Sequence, residues 1–289
     1  MMNFNKSFKE ITSNYEYFVF DVWGVIHDGV HAYPNATQTI IDLKREGKKI
    51  CFLSNAPRRA FKVAEVLKKY GIEQNYYDFI LTSGEATFID LEKNQKNNFK
   101  NFGKKYFYIG PEKDLDLLEG LDYEMVKSAK EANFAITTGF DHDHSVIEEK
   151  MSQIVDAVGE KLPLICVNPD MMVIRKSGEE MLCAGVIAKK YEELLGSVIY
   201  YGKPHLSVYN MTHELFGKNI EKKKILAIGD GLETDIKGAN NFEIDSVLIT
   251  SGILSNKLGV KYNQNADEDK VKYHCELQNA FPKYVIPNL

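Results

Sequence analysis

The sequence predicts an open α/β fold built on a parallel sheet, with a second α/β domain inserted into it. Two observations carry this. Short apolar runs that stop abruptly at a polar or small residue alternate with stretches of helical period, the pattern of buried strands joined by crossover helices. Between two of those runs lie more than a hundred residues, far beyond the usual loop length and best accounted for by an insertion. A chain of 289 residues is long enough for both domains.

Taken in order, Tyr17 to Phe20 ends at Asp21, Ile50 to Leu53 ends at Ser54 and Asn55, and Phe79 to Leu81 ends at Thr82 and Ser83. Val198 to Tyr201 leads to Gly202 and Lys203, Ile225 to Ile228 ends at Gly229 and Asp230, and Val247 to Ile249 ends at Thr250, Ser251 and Gly252. Ligands of an open parallel sheet sit beyond the carboxyl ends of its strands, so these terminal residues are expected to share one rim. Ala60 to Tyr70 reads as a helix with Val63, Val66 and Leu67 on one face, stopped by Gly71. Within the insertion, Tyr106 to Ile109, Phe134 to Thr137 and Leu164 to Val167 read as strands and Ile147 to Val158 as a helix. Met172 to Ile174 and Glu180 to Cys183 flank Lys176-Ser177-Gly178 as a hairpin. The expected division is a core of residues 1–98 and 197–289, including the helix after Ser83, and an inserted domain of residues 99–196.

The composition is ordinary for a folded protein, 44% hydrophobic and 27% charged, and no biased tract suggests disorder. A net charge of -5 gives no basic surface for a phosphate backbone, so nucleic acid is not expected as a partner. Four cysteines without a C-x-x-C pair indicate neither zinc nor a disulfide framework. With no apolar run near the ~20 residues a bilayer requires and no apolar signal segment after Met1, a soluble, cytoplasmic protein without membrane association is expected.

The segment Ile225 to Asp235 delivers two carboxylates, Asp230 and Asp235, around a glycine turn, and Asp21 ends another strand. Carboxylates gathered at one rim suit a hard cation such as Mg²⁺, which takes oxygen ligands and substrate phosphate. Helix capping is the competing reading for Asp230 and Asp235. A dinucleotide fingerprint is a further one, but Thr234 stands where its third glycine belongs and Asp230 would repel a pyrophosphate. Lys203, stiffened by Pro204, can pair with Asp21 or neutralise phosphate. Ser54 and Asn55 offer a hydroxyl, an amide and backbone N–H groups before a helix expected to begin near Pro57, a suitable place for an anion.

Asp21-Val22-Trp23-Gly24-Val25, Ser54-Asn55, Lys203-Pro204 and Gly229-Asp230 with Asp235 resemble, in that order, the motifs of the haloacid dehalogenase superfamily of phosphotransferases. Asn168-Pro169-Asp170, Gly185 and Thr82-Ser83-Gly84-Glu85-Ala86 are similar to signatures of its class IIA, NagD-type subfamily, whose α/β cap is inserted into a Rossmann-like core. The resemblance implies a Mg²⁺-dependent phosphatase of a small phosphorylated metabolite, with Asp21 as nucleophile forming an aspartyl-phosphate. Asp21, the Trp23 carbonyl and Asp230 would hold Mg²⁺, supported by Asp235. Ser54 and the amides near Gly24 and Asn55 would bind phosphate oxygens, with Asn168 and Asp170 on the substrate side, and Lys203 would orient Asp21. Cap-mediated homodimers occur in that subfamily.

The pattern breaks at Trp23, where phosphatases of the superfamily carry a second Asp as acid/base. An indole N–H can donate a hydrogen bond but has no useful proton to transfer. Unreplaced, the loss is expected to cost about 10²- to 10⁴-fold. Asp28, or His27, is the substitute within reach along the chain, against an ordinary turn role for either. The alternative function is a catalytically weak or inactive phosphometabolite-binding protein of the same fold. A dehalogenase, which also has an aromatic here, would gain only repulsion from Asp230 and Asp235. Asp141-His142-Asp143-His144 has metal-ligand residue types but precedes a helical stretch, which favours turn and N-cap roles.

Overall fold

The computed structural model describes residues 2–4, 7–94, 103–174 and 179–289. The expected Lys176-Ser177-Gly178 turn and the expected start of the inserted domain at residue 99 lie outside the described residues. The strands in chain order are β1 (Tyr17–Phe20), β2 (Lys49–Ser54), β3 (Phe79–Thr82), β4 (Lys105–Ile109), β5 (Glu124–Val126), β6 (Phe134–Thr137), β7 (Leu164–Cys166), β8 (Met172–Ile174), β9 (Glu180–Leu182), β10 (Val198–Tyr200), β11 (Ile225–Gly229), β12 (Asp245–Ile249) and β13 (Tyr284–Ile286).

The chain divides into two compact units, one of Met1–Ser54, Phe61–Leu81 and Lys203–Leu289, the other of Asn55–Ala60 and Thr82–Gly202. The first holds a sheet of order β13-β12-β11-β1-β2-β3. Strand β1 lies in parallel between β11 and β2, with Phe20 opposite Ile228 on one side and Phe52 on the other. Its Phe18, Val19 and Phe20 are buried, as expected of a strand covered on both faces. From β1 the chain runs outward through β2 and β3 to one edge, and from β11 through β12 and β13 to the other. The boundary between β1 and β11 is therefore the topological switch point, where such sheets bind ligands. The helix Ala60–Lys69 buries Val63 and Leu67 and ends before Gly71, whose φ of +80° suits a C-cap; it begins three residues after Pro57. Leu232, Ile236, Leu248, Leu258, Val271 and Cys275 form a core cluster beneath the β11–β12 side.

The second unit has its own five-stranded sheet, β10-β7-β6-β4-β5, every neighbouring pair parallel, and an antiparallel hairpin of β8 and β9. Its core gathers Phe107, Ile109, Ile154, Leu164, Ile187 and Tyr191. One expectation is corrected here. Val198–Tyr200 pairs with β7 of this sheet and is not a strand of the first. The helix Ser83–Asn94 falls in this unit, and the chain changes unit at 54/55, 60/61, 81/82 and 202/203. Among the described residues no helix is long and apolar enough to cross a membrane.

Candidate active site

At the switch point the register fixes the chemistry. Asp21 follows β1 directly, and its N–H donates to the Ile228 carbonyl at 2.8 Å, so it leaves the sheet beside Gly229 and Asp230 at the end of β11. Lys203 Nζ donates to Asp21 Oδ1 and to Asp235 Oδ1, both at 2.7 Å. Asp235 lies in a π-helical turn, Leu232–Ile236, and its Oδ2 accepts the Gly231 N–H at 3.1 Å. Such turns widen the helix by one residue and recur at functional sites. Asp230 Oδ2 accepts the Ile253 N–H, 2.6 Å, from the loop after β12. Helix capping therefore does not account for Asp230, whose partner is 23 residues away.

Asp21, Asp230 and Asp235 each bring a carboxylate oxygen within 4.8 Å of the others, and this is the single such group of metal-ligand side chains among the described residues. All are nearly enclosed: Asp21 is 9% exposed, Asp230 5%, Asp235 4% and Lys203 3%. Burial pushes the Asp21 carboxyl up to about 7 despite the pull of Lys203, with Asp235 adding to the rise. Burial, then Asp21 and Asp235, hold Asp230 well above the carboxylate range. Burial works against the Lys203 charge, but the two carboxylates outweigh it and keep the ammonium protonated. Fully ionised, the four groups carry an excess of two negative charges in a desolvated place. A divalent cation with oxygen ligands matches that excess in charge and donor type.

Glycines make the cluster possible. A Cβ on Gly24, at φ +84°, would land on the Asp230 carboxylate, and one on Gly252 would strike it from the loop after β12. The Asp235 side chain occupies the corresponding space over Gly229. Tyr209, fully buried on the helix Leu206–Phe216, donates its hydroxyl to the Asp235 carbonyl at 3.1 Å. Neither Tyr209 nor the Gly252–Ile253 contact is foreseen by sequence motifs. For the second, the Thr250-Ser251-Gly252 strand end was the available signal.

The segment after Asp21 folds back on itself. Gly24 N–H donates to the His27 carbonyl at 2.9 Å, and the Trp23 ring stands edge-on to His27, centroids 5.4 Å apart, filling the space above Gly29. His27 Nδ1 accepts the Gly29 N–H at 2.9 Å, and burial pushes its pKa down to about 4, opposed by Asp28. Asp28 Oδ1 accepts the Val30 and His31 N–H groups at 2.9 and 2.7 Å. This is the turn role. Asp28 is outside the group of three close carboxylates.

Ser54, the last residue of β2, is buried in the first unit. Asn55, Asn168 and Asp170 belong to the second, where Asn55 Nδ2 donates to Asp170 Oδ1 at 2.8 Å and the Asp170 N–H donates to Asn168 Oδ1 at 3.0 Å. Of Asp141-His142-Asp143-His144, Asp141 pairs with the buried Lys150 at 2.7 Å, His144 lies 3.4 Å from Glu179, and Ser145 bonds His142. These side chains do not converge on one point.

Known proteins resemble this chain over most of its length. Residues 18–124 match a family model described as haloacid dehalogenase-like hydrolase, and residues 200–273 one described as HAD-hydrolase-like. Phosphoglycolate phosphatase 2 of Arabidopsis thaliana is 24% identical over 93% of this chain and 96% of its own length. A haloacid dehalogenase-like hydrolase from Brucella suis 1330 superposes with a TM-score of 0.80 at 29% identity, covering 98% of this chain and 99% of that one. A p-nitrophenyl phosphatase from Archaeoglobus fulgidus superposes with a TM-score of 0.74 at 22% identity, covering 95% and 97%.

Proposed function

The chain belongs to the haloacid dehalogenase superfamily, as a phosphoric monoester hydrolase with neighbours of the class IIA, NagD-like type, and from that premise we propose a magnesium-dependent phosphatase that works through an aspartyl-phosphate at Asp21. Its substrate is a small phosphorylated metabolite, and the phosphoglycolate named for the Arabidopsis relative is one candidate among the sugar and short-acid phosphates. The observation that carries the reading is the enclosed set of three carboxylates bridged by one ammonium, with Lys203 2.7 Å from both Asp21 and Asp235.

Each residue has a derived task. The Asp21 oxygen not paired with Lys203 attacks phosphorus as the bond to the leaving oxygen breaks, and water later attacks the same phosphorus to release phosphate and regenerate the carboxylate. Lys203 fixes the rotamer of Asp21 and offsets charge on the transferring phosphoryl group. Asp21, Asp230 and the Trp23 carbonyl, with Asp235 in support, would hold Mg²⁺, which would supply Lewis-acid neutralisation of phosphoryl oxygens. Ser54 and the backbone amides near Gly24 and Asn55 hold the phosphoryl oxygens.

Proton supply to the leaving group is the weak step. Trp23 has no transferable proton, the Asp28 carboxylate is engaged by two amides, and His27, with a pKa near 4, is neutral at pH 7. Substrates that leave without protonation are therefore favoured. The same observation supports a second reading, a phosphometabolite-binding protein that captures the ligand and turns it over slowly. A panel of aryl, acyl, sugar and short-acid phosphates assayed with and without Mg²⁺ separates the two, together with Asp21→Asn. Hydrolysis that is independent of Mg²⁺ or unchanged in Asp21→Asn overturns the phosphatase reading. An aspartyl-phosphate at Asp21 that forms and is hydrolysed in rapid turnover excludes the second.

A further inference from the structure

The chain passes between its two units at four places, and three of them meet at one cluster inside the second unit. Asn55 follows the crossing at 54/55, Thr82 and Ser83 follow the one at 81/82, and Gly202 precedes the one at 202/203. Asn55 Nδ2 donates to Asp170 Oδ1 at 2.8 Å, and the Ser83 hydroxyl donates to Asn55 Oδ1 at 3.4 Å. Gly202, at φ +129°, leaves no room for a side chain, since a Cβ there would lie 2.5 Å from Ser83 Oγ, 2.6 Å from Asn55 Oδ1 and 2.6 Å from Pro169 Cδ. The Gly84 N–H donates to the Ala56 carbonyl at 3.2 Å and closes the cluster from below.

Asp170 is itself held. Its N–H is taken by Asn168 Oδ1 and its carbonyl accepts the Gly185 N–H at 3.1 Å, at the start of the helix Ala184–Glu193. A Cβ on Gly185 would collide with the Pro169 and Asp170 carbonyls, so loop and helix are in direct backbone contact. The carboxylate that reaches Asn55 thus stands on a rigid element 115 residues away in sequence. Asn55 is peptide-bonded to Ser54, and Gly202 to Lys203, two side chains of the proposed phosphoryl-transfer site.

We propose that Asp170 is a positioning residue: through its hydrogen bond to Asn55 it fixes the Ser54-Asn55 segment that receives the phosphate. The assignment rests on the phosphatase reading for what the segment binds. It replaces direct substrate contact as the task of the Asp170 and Asn55 side chains.

The test is a swap in the full chain. Asn55→Asp places two carboxylates face to face, and Asn55→Asp/Asp170→Asn restores the pair with donor and acceptor exchanged. Kinetics with p-nitrophenyl phosphate and the binding constant of inorganic phosphate are measured beside the melting temperature. Contacting residues show coupling, here expected as a loss of about tenfold or more in kcat/KM and phosphate affinity for the single variant, mostly recovered in the double. A double variant no better than Asn55→Asp, or an Asn55→Asp variant equal to wild type, overturns the proposal. Should Asn55→Asp not fold, Asp170→Ala serves instead: weakened phosphate binding is expected, and unchanged binding overturns the proposal. A wild type that binds phosphate but hydrolyses no ester contradicts the phosphatase reading alone, because the swap is still read from phosphate affinity.

Discussion

Replacing Lys203 with methionine removes the one positive charge from a place where four ionisable groups meet at close range. Lys203 is 3% exposed and holds Asp21 and Asp235 at 2.7 Å each. Methionine keeps most of the volume and deletes the ammonium, leaving Asp21, Asp230 and Asp235 within 4.8 Å of one another without the cation that bridges Asp21 and Asp235. Breaking a buried ion pair from one side costs about 3–5 kcal/mol. At roughly 2–4 °C per kcal/mol this lowers the melting temperature by roughly 6–20 °C. The carboxylates can escape part of the cost by taking up protons. Asp21 already sits near 7 with Lys203 pulling it down, and Asp230 sits well above its usual range, so both rise further in the variant. The penalty should therefore be large at pH 8 and smaller at pH 5.5, and millimolar Mg²⁺ should restore more stability to the variant than to wild type. Thermal or urea unfolding at the two pH values, in EDTA and in Mg²⁺, measures all three effects. A loss under about 1 kcal/mol, or one equal at pH 5.5 and pH 8, refutes the reasoning that mutual repulsion dominates this cluster.

Wild-type protein should gain more stability from Mg²⁺ at pH 8 than at pH 5.5, because the cation must displace the protons that the raised Asp21 and Asp230 retain at the lower pH; melting curves against pH read this directly. Gly24→Ala should cost about 1–2 kcal/mol for the left-handed φ alone, and more for the collision with Asp230, with loss of Mg²⁺ binding by calorimetry. His27 titrates near 4 when folded against 6.5 ordinarily, so the unfolded chain gains a proton below pH 6.5 that the folded one refuses. That stability is complete above pH 6.5 and lost as pH falls toward 4, about 2.5 kcal/mol by pH 4.5, and His27→Gln should flatten urea-unfolding stability over this window. Aryl phosphate should be hydrolysed about 10²-fold or more faster than alkyl phosphate in kcat/KM, and equal rates would reveal an acid/base the structure does not display.

The parts of the site carried by single strands were legible in the sequence. An apolar run ending in a carboxylate already states a buried strand and an exposed chemical end, and so Asp21, Asp230 and the nearby Asp235 could be placed on one rim. What the runs do not encode is their partner. Val198–Tyr200 is as apolar as a core strand should be, yet it pairs with β7, because period reports burial and not which neighbour supplies it. Asn55 shows the same limit at the scale of one side chain: its place before a helix suggested an anion, while its amide is committed to Asp170 by a contact 115 residues distant. Asp28 could be read as acid or as turn, and the two amides that its Oδ1 accepts are not visible in the sequence.

The pairing of β1 with β11 has a consequence for biosynthesis. Tyr17 meets Ile225 and Phe20 meets Ile228, so the two strands that carry Asp21 and Asp230 are synthesised far apart in time. A nascent chain can close β1 against β2 early, but the other edge of Tyr17–Phe20, four apolar residues, waits for almost everything between to be synthesised. Early folding of the second unit shortens the loop that must then be closed. Until it closes, an interrupted chain has no acidic cluster and presents an open hydrophobic strand to any other chain nearby.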